Sequence, residues 1–143
     1  MINEILEKYN NKGEFSFRKD DDLKNKCNAP TSYSGIYLIY YKDKLIYIGS
    51  SGQLKDGQLK TRVSGLGGIK DRIVNGYHPK FGKVKRRKIF PIIMENSNMN
   101  EILIKWYVTC DNIINFDLPN EIEKRILNLY LFENENRKPI WHK

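Results

Sequence analysis

The 143-residue sequence has only two cysteines, Cys27 and Cys110, far apart and in no Cys-x-x-Cys pair. That spacing argues against a disulfide framework or a cysteine-built zinc site, and points to two small packing residues in a reducing cytoplasm. No apolar run approaches the roughly 20 residues that cross a bilayer. The opening MINEILEKYNNKGEF has no apolar stretch of signal-peptide length. The expectation is a cytoplasmic protein with no membrane partner. Without low-complexity tracts or internal repeats, neither disorder nor a solenoid is expected. Acidic residues are also in deficit: 17 Asp and Glu face 25 Lys and Arg, a formal charge of +8. Such an excess favours polyanionic partners, nucleic acid first among them.

What is present suffices for one core, since 40% of the residues are hydrophobic. The nine tyrosines outnumber Phe and Trp together, and a tyrosine joins an apolar ring to a polar tip that suits binding surfaces. Residues 1–12 are expected to form a short amphipathic helix, with Ile2, Ile5 and Leu6 on one side. Residues 13–34 are polar, broken by Gly13 and Pro30, and carry the acidic run Asp20, Asp21, Asp22. They read as an extension leading into the core. The division is therefore an N-terminal extension over 1–33 and a domain over 34–143.

The strongest strand signal is SGIYLIYYKDKLIYIGS, residues 34–50: two β-rich runs about a polar turn at Lys42-Asp43, a hairpin. Helical character is expected around 58–64 and again in GIKDRIVNGY, closed by Gly76. KIFPIIM reads as an edge or irregular strand because of Pro91, and EILIKWYVTC as a further strand. LPNEIEKRILNLYLF reads as a helix with Pro119 near its start and Ile122, Ile126, Leu129 and Tyr130 at helical spacing. The order β-β-α-(α)-β-β-α predicts an α/β (α+β) fold, a small, mainly antiparallel sheet flanked by helices.

Gly35-Ile36-Tyr37 and Tyr47-Ile48-Gly49 on one hairpin resemble the signature of the GIY-YIG nuclease superfamily. The resemblance continues in Leu59-Lys60-Thr61-Arg62, which fits the arginine element after the hairpin across an inserted GQLKDG loop. It extends to Glu123, with Ile126 and Leu127 at i+3 and i+4, and to Pro139-Ile140-Trp141-His142, where His142 replaces the family's asparagine. Ser50 stands where a lysine often follows the second triplet. The resemblance implies a compact sheet-and-helix domain that hydrolyses nucleic acid phosphodiesters with one divalent ion, Mg²⁺ or Mn²⁺. It makes Tyr37, Tyr47, Arg62, Glu123 and His142 the catalytic candidates, with Glu123 the metal ligand.

Physical chemistry bears on each role. Arg62 can hold a phosphate by two parallel hydrogen bonds. Glu123 shares a helix face with Leu127 and Tyr130 and needs a partner there, whereas Glu121 precedes Lys124 and Arg125 and points to solvent. His142 can donate a hydrogen bond or accept a proton. A free tyrosine titrates near 10, so either tyrosine acting as base needs help from a metal or cations, and the choice between them stays open. Lys80, Lys83, Lys85, Arg86, Arg87 and Lys88 form a basic run interleaved with Phe81 and Val84. They are the candidate contacts to the backbone of double-stranded DNA. His78 and Asn75 stand in the preceding loop as weaker candidates for base contacts. The expected protein is a monomer or homodimer of restriction or phage type. The alternatives are a repair or homing-type nuclease domain, and a catalytically silent nucleic-acid-binding module.

The hairpin carries a geometric demand. With a regular two-residue turn at Lys42-Asp43, Tyr47 pairs with Leu38, and Tyr37 and Tyr47 fall on opposite faces. A shared site therefore requires an odd loop or a bulge between them, with Asp43 expected in the left-handed region.

Overall fold

A computed structural model describes residues 1–55, 58–61, 67–111 and 113–142. Four strands, β1 (Lys12–Arg18), β2 (Ser34–Tyr41), β3 (Lys44–Ser51) and β6 (Glu101–Cys110), form an antiparallel sheet in the order β1-β6-β2-β3. Two short strands, β4 (Gln53–Lys55) and β5 (Gln58–Lys60), pair separately. Helices α2 (Leu23–Lys26), α3 (Gly68–Asn75) and α4 (Arg86–Asn96) belong to one face of the main sheet, α1 (Ile2–Leu6) and α5 (Pro119–Glu133) to the other. The predicted class, a mainly antiparallel sheet flanked by helices, is the observed one.

Alternation builds both cores. Tyr37 and Ile39 of β2 face Ile69 and Ile73 of α3 and Phe90 and Met94 of α4. Ile36 and Leu38 face Leu6 of α1 and Ile122, Ile126 and Tyr130 of α5. Successive strand residues point to opposite faces, so β2 is buried on both sides. Pro119 opens α5 at a position whose N–H has no helical acceptor, and Gly76 closes α3 by donating to the Arg72 carbonyl.

Four expectations give way. The segment 13–34 is built into the domain: β1 pairs with β6 along its length, and Phe15 and Phe17 enter the core. As an edge strand covered on one face, it shows only two inward aromatics among polar residues, hence its resemblance to a polar extension. The N-terminal helix is shorter than 1–12, because β1 starts at Lys12. KIFPIIM is helical, part of α4. Arg86, Phe90, Ile93 and Met94 are buried at helical spacing, and that stripe outweighs the hydrogen bond Pro91 cannot donate to the Arg87 carbonyl. Gln58–Lys60 forms β5 rather than helix. The same Gln-Leu-Lys triplet flanks Asp56-Gly57 in the sequence, a hairpin pattern. Arg62 lies outside the described residues.

The required bulge is present. Tyr41 pairs with Lys44 across the two-residue turn and Tyr40 with Leu45; then the register shifts, and Ile39 pairs with Tyr47 and Tyr37 with Gly49. Ile46 is the extra residue, so Ile46 and Tyr47 both join the α3–α4 core while Leu45 and Ile48 join the other. Tyr47 thus lies diagonally beside Tyr37 on one face, not directly opposite it. The left-handed residue of the turn is Lys42 (φ 55°), not Asp43. A positive φ at the first central position is the geometry of a type II′ turn.

Candidate active site

The two signature tyrosines stand side by side under α3 and α4, their ring centroids 6.1 Å apart. Tyr37 is 0% exposed and Tyr47 5%. Gly49 makes this possible: a β-carbon there would lie 2.3 Å from both the ring Cζ and the hydroxyl of Tyr37. Gly35 is equally crowded, since its β-carbon would lie 1.9 Å from the carbonyl oxygen of Tyr107 on the neighbouring strand. Both signature glycines are therefore close-approach residues.

The third member of the group is Arg86, which the sequence places in the DNA-facing basic run. It is instead fully buried, its guanidinium carbon 5.5 Å from the centroids of both Tyr37 and Tyr47. One Nη donates to the Arg72 carbonyl at 2.6 Å and the other to the Tyr47 hydroxyl at 3.3 Å. Burying a guanidinium costs several kcal/mol. Two desolvated cation–π contacts at about 2 kcal/mol each, and the carbonyl end of α3, offset much of that. Its Nε has no hydrogen-bond partner among the described residues, nor does the Tyr37 hydroxyl. Burial, then the neighbouring Tyr37, push the Tyr47 phenol well above its usual range, against the opposing pull of Arg86 and Arg72. At neutral pH Tyr47 is therefore a protonated hydrogen-bond donor.

Two histidines close the other side of Tyr47. His142 stacks on its ring at 4.7 Å and accepts the Ile48 N–H at 3.1 Å through Nε2. With Trp141 N–H donating to the Ile46 carbonyl at 2.9 Å, the C-terminal tail covers the exposed edge of the bulged strand. Burial holds His142 below its usual range, and the Ile48 N–H requires an unprotonated Nε2. His78 is 0% exposed, 5.4 Å from Tyr47 and edge-on to Trp141, and its Nδ1 accepts the Lys80 N–H at 3.2 Å. That buried position does not suit the base-contact role expected for it.

Burial first, then the charges of Arg86, Lys80 and His142, lower the His78 pKa to about 4. A histidine depressed in the folded state is protonated first in the unfolded chain, so stability is lost as pH falls from about 6.5 towards 4. For a shift of this size the loss reaches about 2 kcal/mol by pH 5. Urea midpoints measured from pH 7 to pH 4.5 are expected to fall in the wild type and to fall less steeply in His78→Phe. Parallel curves would assign the acid sensitivity to other groups.

Glu123 stands on α5, across the sheet from the tyrosine pair. It is half-buried on the second turn of α5, hydrogen-bonded to the Ser50 side chain at the end of β3, and feels the charges of Arg72 and Arg86. Burial raises its pKa, with Ser50 and the cations opposing. Glu121, two residues earlier, is exposed. Among the described residues no three His, Cys, Asp or Glu converge. Mg²⁺ sites in general use one or two carboxylates, with water and substrate phosphate completing the shell.

The rest of the basic run stays outside. Lys80, Lys83, Arg87 and Lys88 are exposed and Lys85 half-exposed, while Lys80 Nζ is engaged with the Ile140 carbonyl at 2.7 Å. The structure brings Tyr37, Tyr47 and His142 together with Arg86, which the sequence places in the DNA-facing run, and sets Glu123 of α5 beside Ser50; Arg72 was not singled out. Read as a helix, the Arg86, Phe90, Ile93, Met94 stripe would have placed Arg86 inside. Among the described residues no helix is long and apolar enough to cross a membrane. The chain matches no family model, no curated protein and no solved structure.

Proposed function

We propose that the protein is a divalent-metal-dependent endonuclease of the GIY-YIG type, hydrolysing phosphodiester bonds of double-stranded DNA as a restriction or phage-type enzyme. The observation that carries this reading is the bulge at Ile46. An extra residue in a hairpin strand leaves a ladder position unpaired, and here it places Tyr37 and Tyr47 on one face beside a buried guanidinium. Two adjacent phenols beside the Arg86 guanidinium suit a scissile phosphate and its attacking water.

In this mechanism Glu123 would hold Mg²⁺ or Mn²⁺, and the ion when bound would supply charge stabilisation for phosphodiester cleavage. Tyr47, protonated, donates a hydrogen bond to a phosphate oxygen. Tyr37 positions the water; as the water oxygen bonds to phosphorus the P–O3′ bond breaks, the water's proton passing to solvent and the leaving 3′ oxygen taking one up from it. His142 braces the Tyr47 ring. Arg62 is the proposed phosphate clamp by its place in the signature. Products carrying a 5′-phosphate and a 3′-hydroxyl, mapped on a duplex of known sequence with Mg²⁺, are expected; a 3′-phosphate would refute the step.

The exposed cations give a separate test. Replacing Lys83, Arg87 and Lys88 with alanine is expected to weaken DNA binding evenly across sequences. The salt dependence should flatten by about 0.9 units of slope for each phosphate no longer neutralised. An unchanged slope would make this a solvated face. The second reading, a silent nucleic-acid-binding module, is favoured by the complete burial of Tyr37. It requires the same DNA binding without any product.

A further inference from the structure

We infer that Arg86 is a positioning residue, which fixes the Tyr47 oxygen as an acceptor and so reserves the Tyr47 hydroxyl hydrogen for a substrate oxygen. This rests on the nuclease reading for its purpose but on geometry for its substance. A guanidinium has five N–H donors and no acceptor. When Arg86 donates to the Tyr47 oxygen at 3.3 Å, the phenol cannot return its own hydrogen to that partner. Among the described residues no other hydrogen bond joins the Tyr47 hydroxyl, so its hydrogen is not committed to any of them.

The fold holds the guanidinium in place. Arg86 opens α4, and its backbone N–H donates to the Gly76 carbonyl at 3.0 Å. Its side chain folds back to the Arg72 carbonyl at the C-terminal end of α3, where a cation is favoured. Gly76 leaves room for this: a β-carbon there would lie 2.3 Å from the Arg86 Nη1. Tyr37 and Tyr47, side by side, each lie 5.5 Å from the guanidinium carbon and bound the group on one side. A lysine would retain the charge but not the fork.

The experiment combines a double-mutant cycle with a spectroscopic readout. Arg86→Met and Tyr47→Phe are each expected to reduce the cleavage rate about 10²-fold, the usual loss for one preorganised donor. The double variant should be no worse than either single one, because Arg86 acts through the Tyr47 hydroxyl. In protein labelled at tyrosine Cζ, the Tyr47 resonance, assigned by its loss in Tyr47→Phe, should move in Arg86→Met and return part of the way in Arg86→Lys. If Arg86→Met does not fold, the Arg86 Nη resonances in the wild type and in Tyr47→Phe answer the same question, and should differ. Losses that multiply in the double variant would overturn the inference, as would resonances indifferent to the partner residue. A wild type that cuts no DNA would sink the nuclease reading alone, leaving the resonances to decide the role of Arg86.

Discussion

Glu123→Gln is expected to abolish DNA cleavage, a fall of at least about 10³-fold, while DNA affinity and the thermal midpoint stay near those of the wild type. The change removes a ligand charge at nearly constant volume. Glutamine can still hydrogen-bond Ser50, so the α5–β3 contact survives. Removing a half-buried carboxylate whose charged form is disfavoured by burial should not destabilise the fold. Glu121→Gln is the matched control: same helix, two residues earlier, exposed, and expected to cut DNA normally. Rates measured under single-turnover conditions with saturating Mg²⁺ separate the absence of a metal ligand from weakened DNA binding. Equal activity in the two variants, or loss only in Glu121→Gln, would remove Glu123 from the site.

Gly49→Ala should act through packing. The added methyl would meet the Tyr37 ring and hydroxyl at 2.3 Å, closer than side-chain atoms can approach. Tyr37 is a rigid, fully buried ring, and its neighbour Tyr47 is wedged against Arg86 and two histidines. Overpacking of this kind costs about 1–3 kcal/mol. The larger effect should fall on chemistry, since displacing a catalytic group by about 1 Å costs on the order of 10²-fold. Urea denaturation and cleavage rates measured on one preparation are expected to show a modest stability loss with a far larger rate loss. Full activity at reduced stability would mean that the place of Tyr37 is not critical to catalysis.

The parts of the fold legible in the sequence were those where one periodicity dominated. β2 and β3 carry unbroken β-rich runs, α5 a clean helical stripe, and α3 ends on a glycine that its C-terminal cap uses. An irregular hairpin was also expected, because the spacing of the two tyrosines sends them to opposite faces of a regular one; of the two devices expected, an odd loop or a bulge, the structure has the bulge. The detail of the turn was not legible: Lys42, not Asp43, takes the positive φ.

The failures have a common physical origin, a local signal overridden by packing. Pro91 made a helical stripe read as a strand, and with that misreading Arg86 fell into a surface run of charge. A buried arginine is legible only when its carbonyl and aromatic partners are known, and those come from α3, β2 and β3. The grouping of Tyr37, Tyr47 and His142 followed from motif positions. Ser50, a departure from the motif, turned out to hold the carboxylate.

The most direct test is conversion of supercoiled plasmid by the wild-type protein in Mg²⁺ or Mn²⁺, with matched reactions containing EDTA and matched reactions using Glu123→Gln. The expected result is nicked or linear DNA with either ion, and intact supercoils in EDTA and with Glu123→Gln. Plasmid that is bound but left supercoiled in both ions, or cut equally well in EDTA, would contradict a metal-dependent nuclease built on Tyr37, Tyr47 and Glu123.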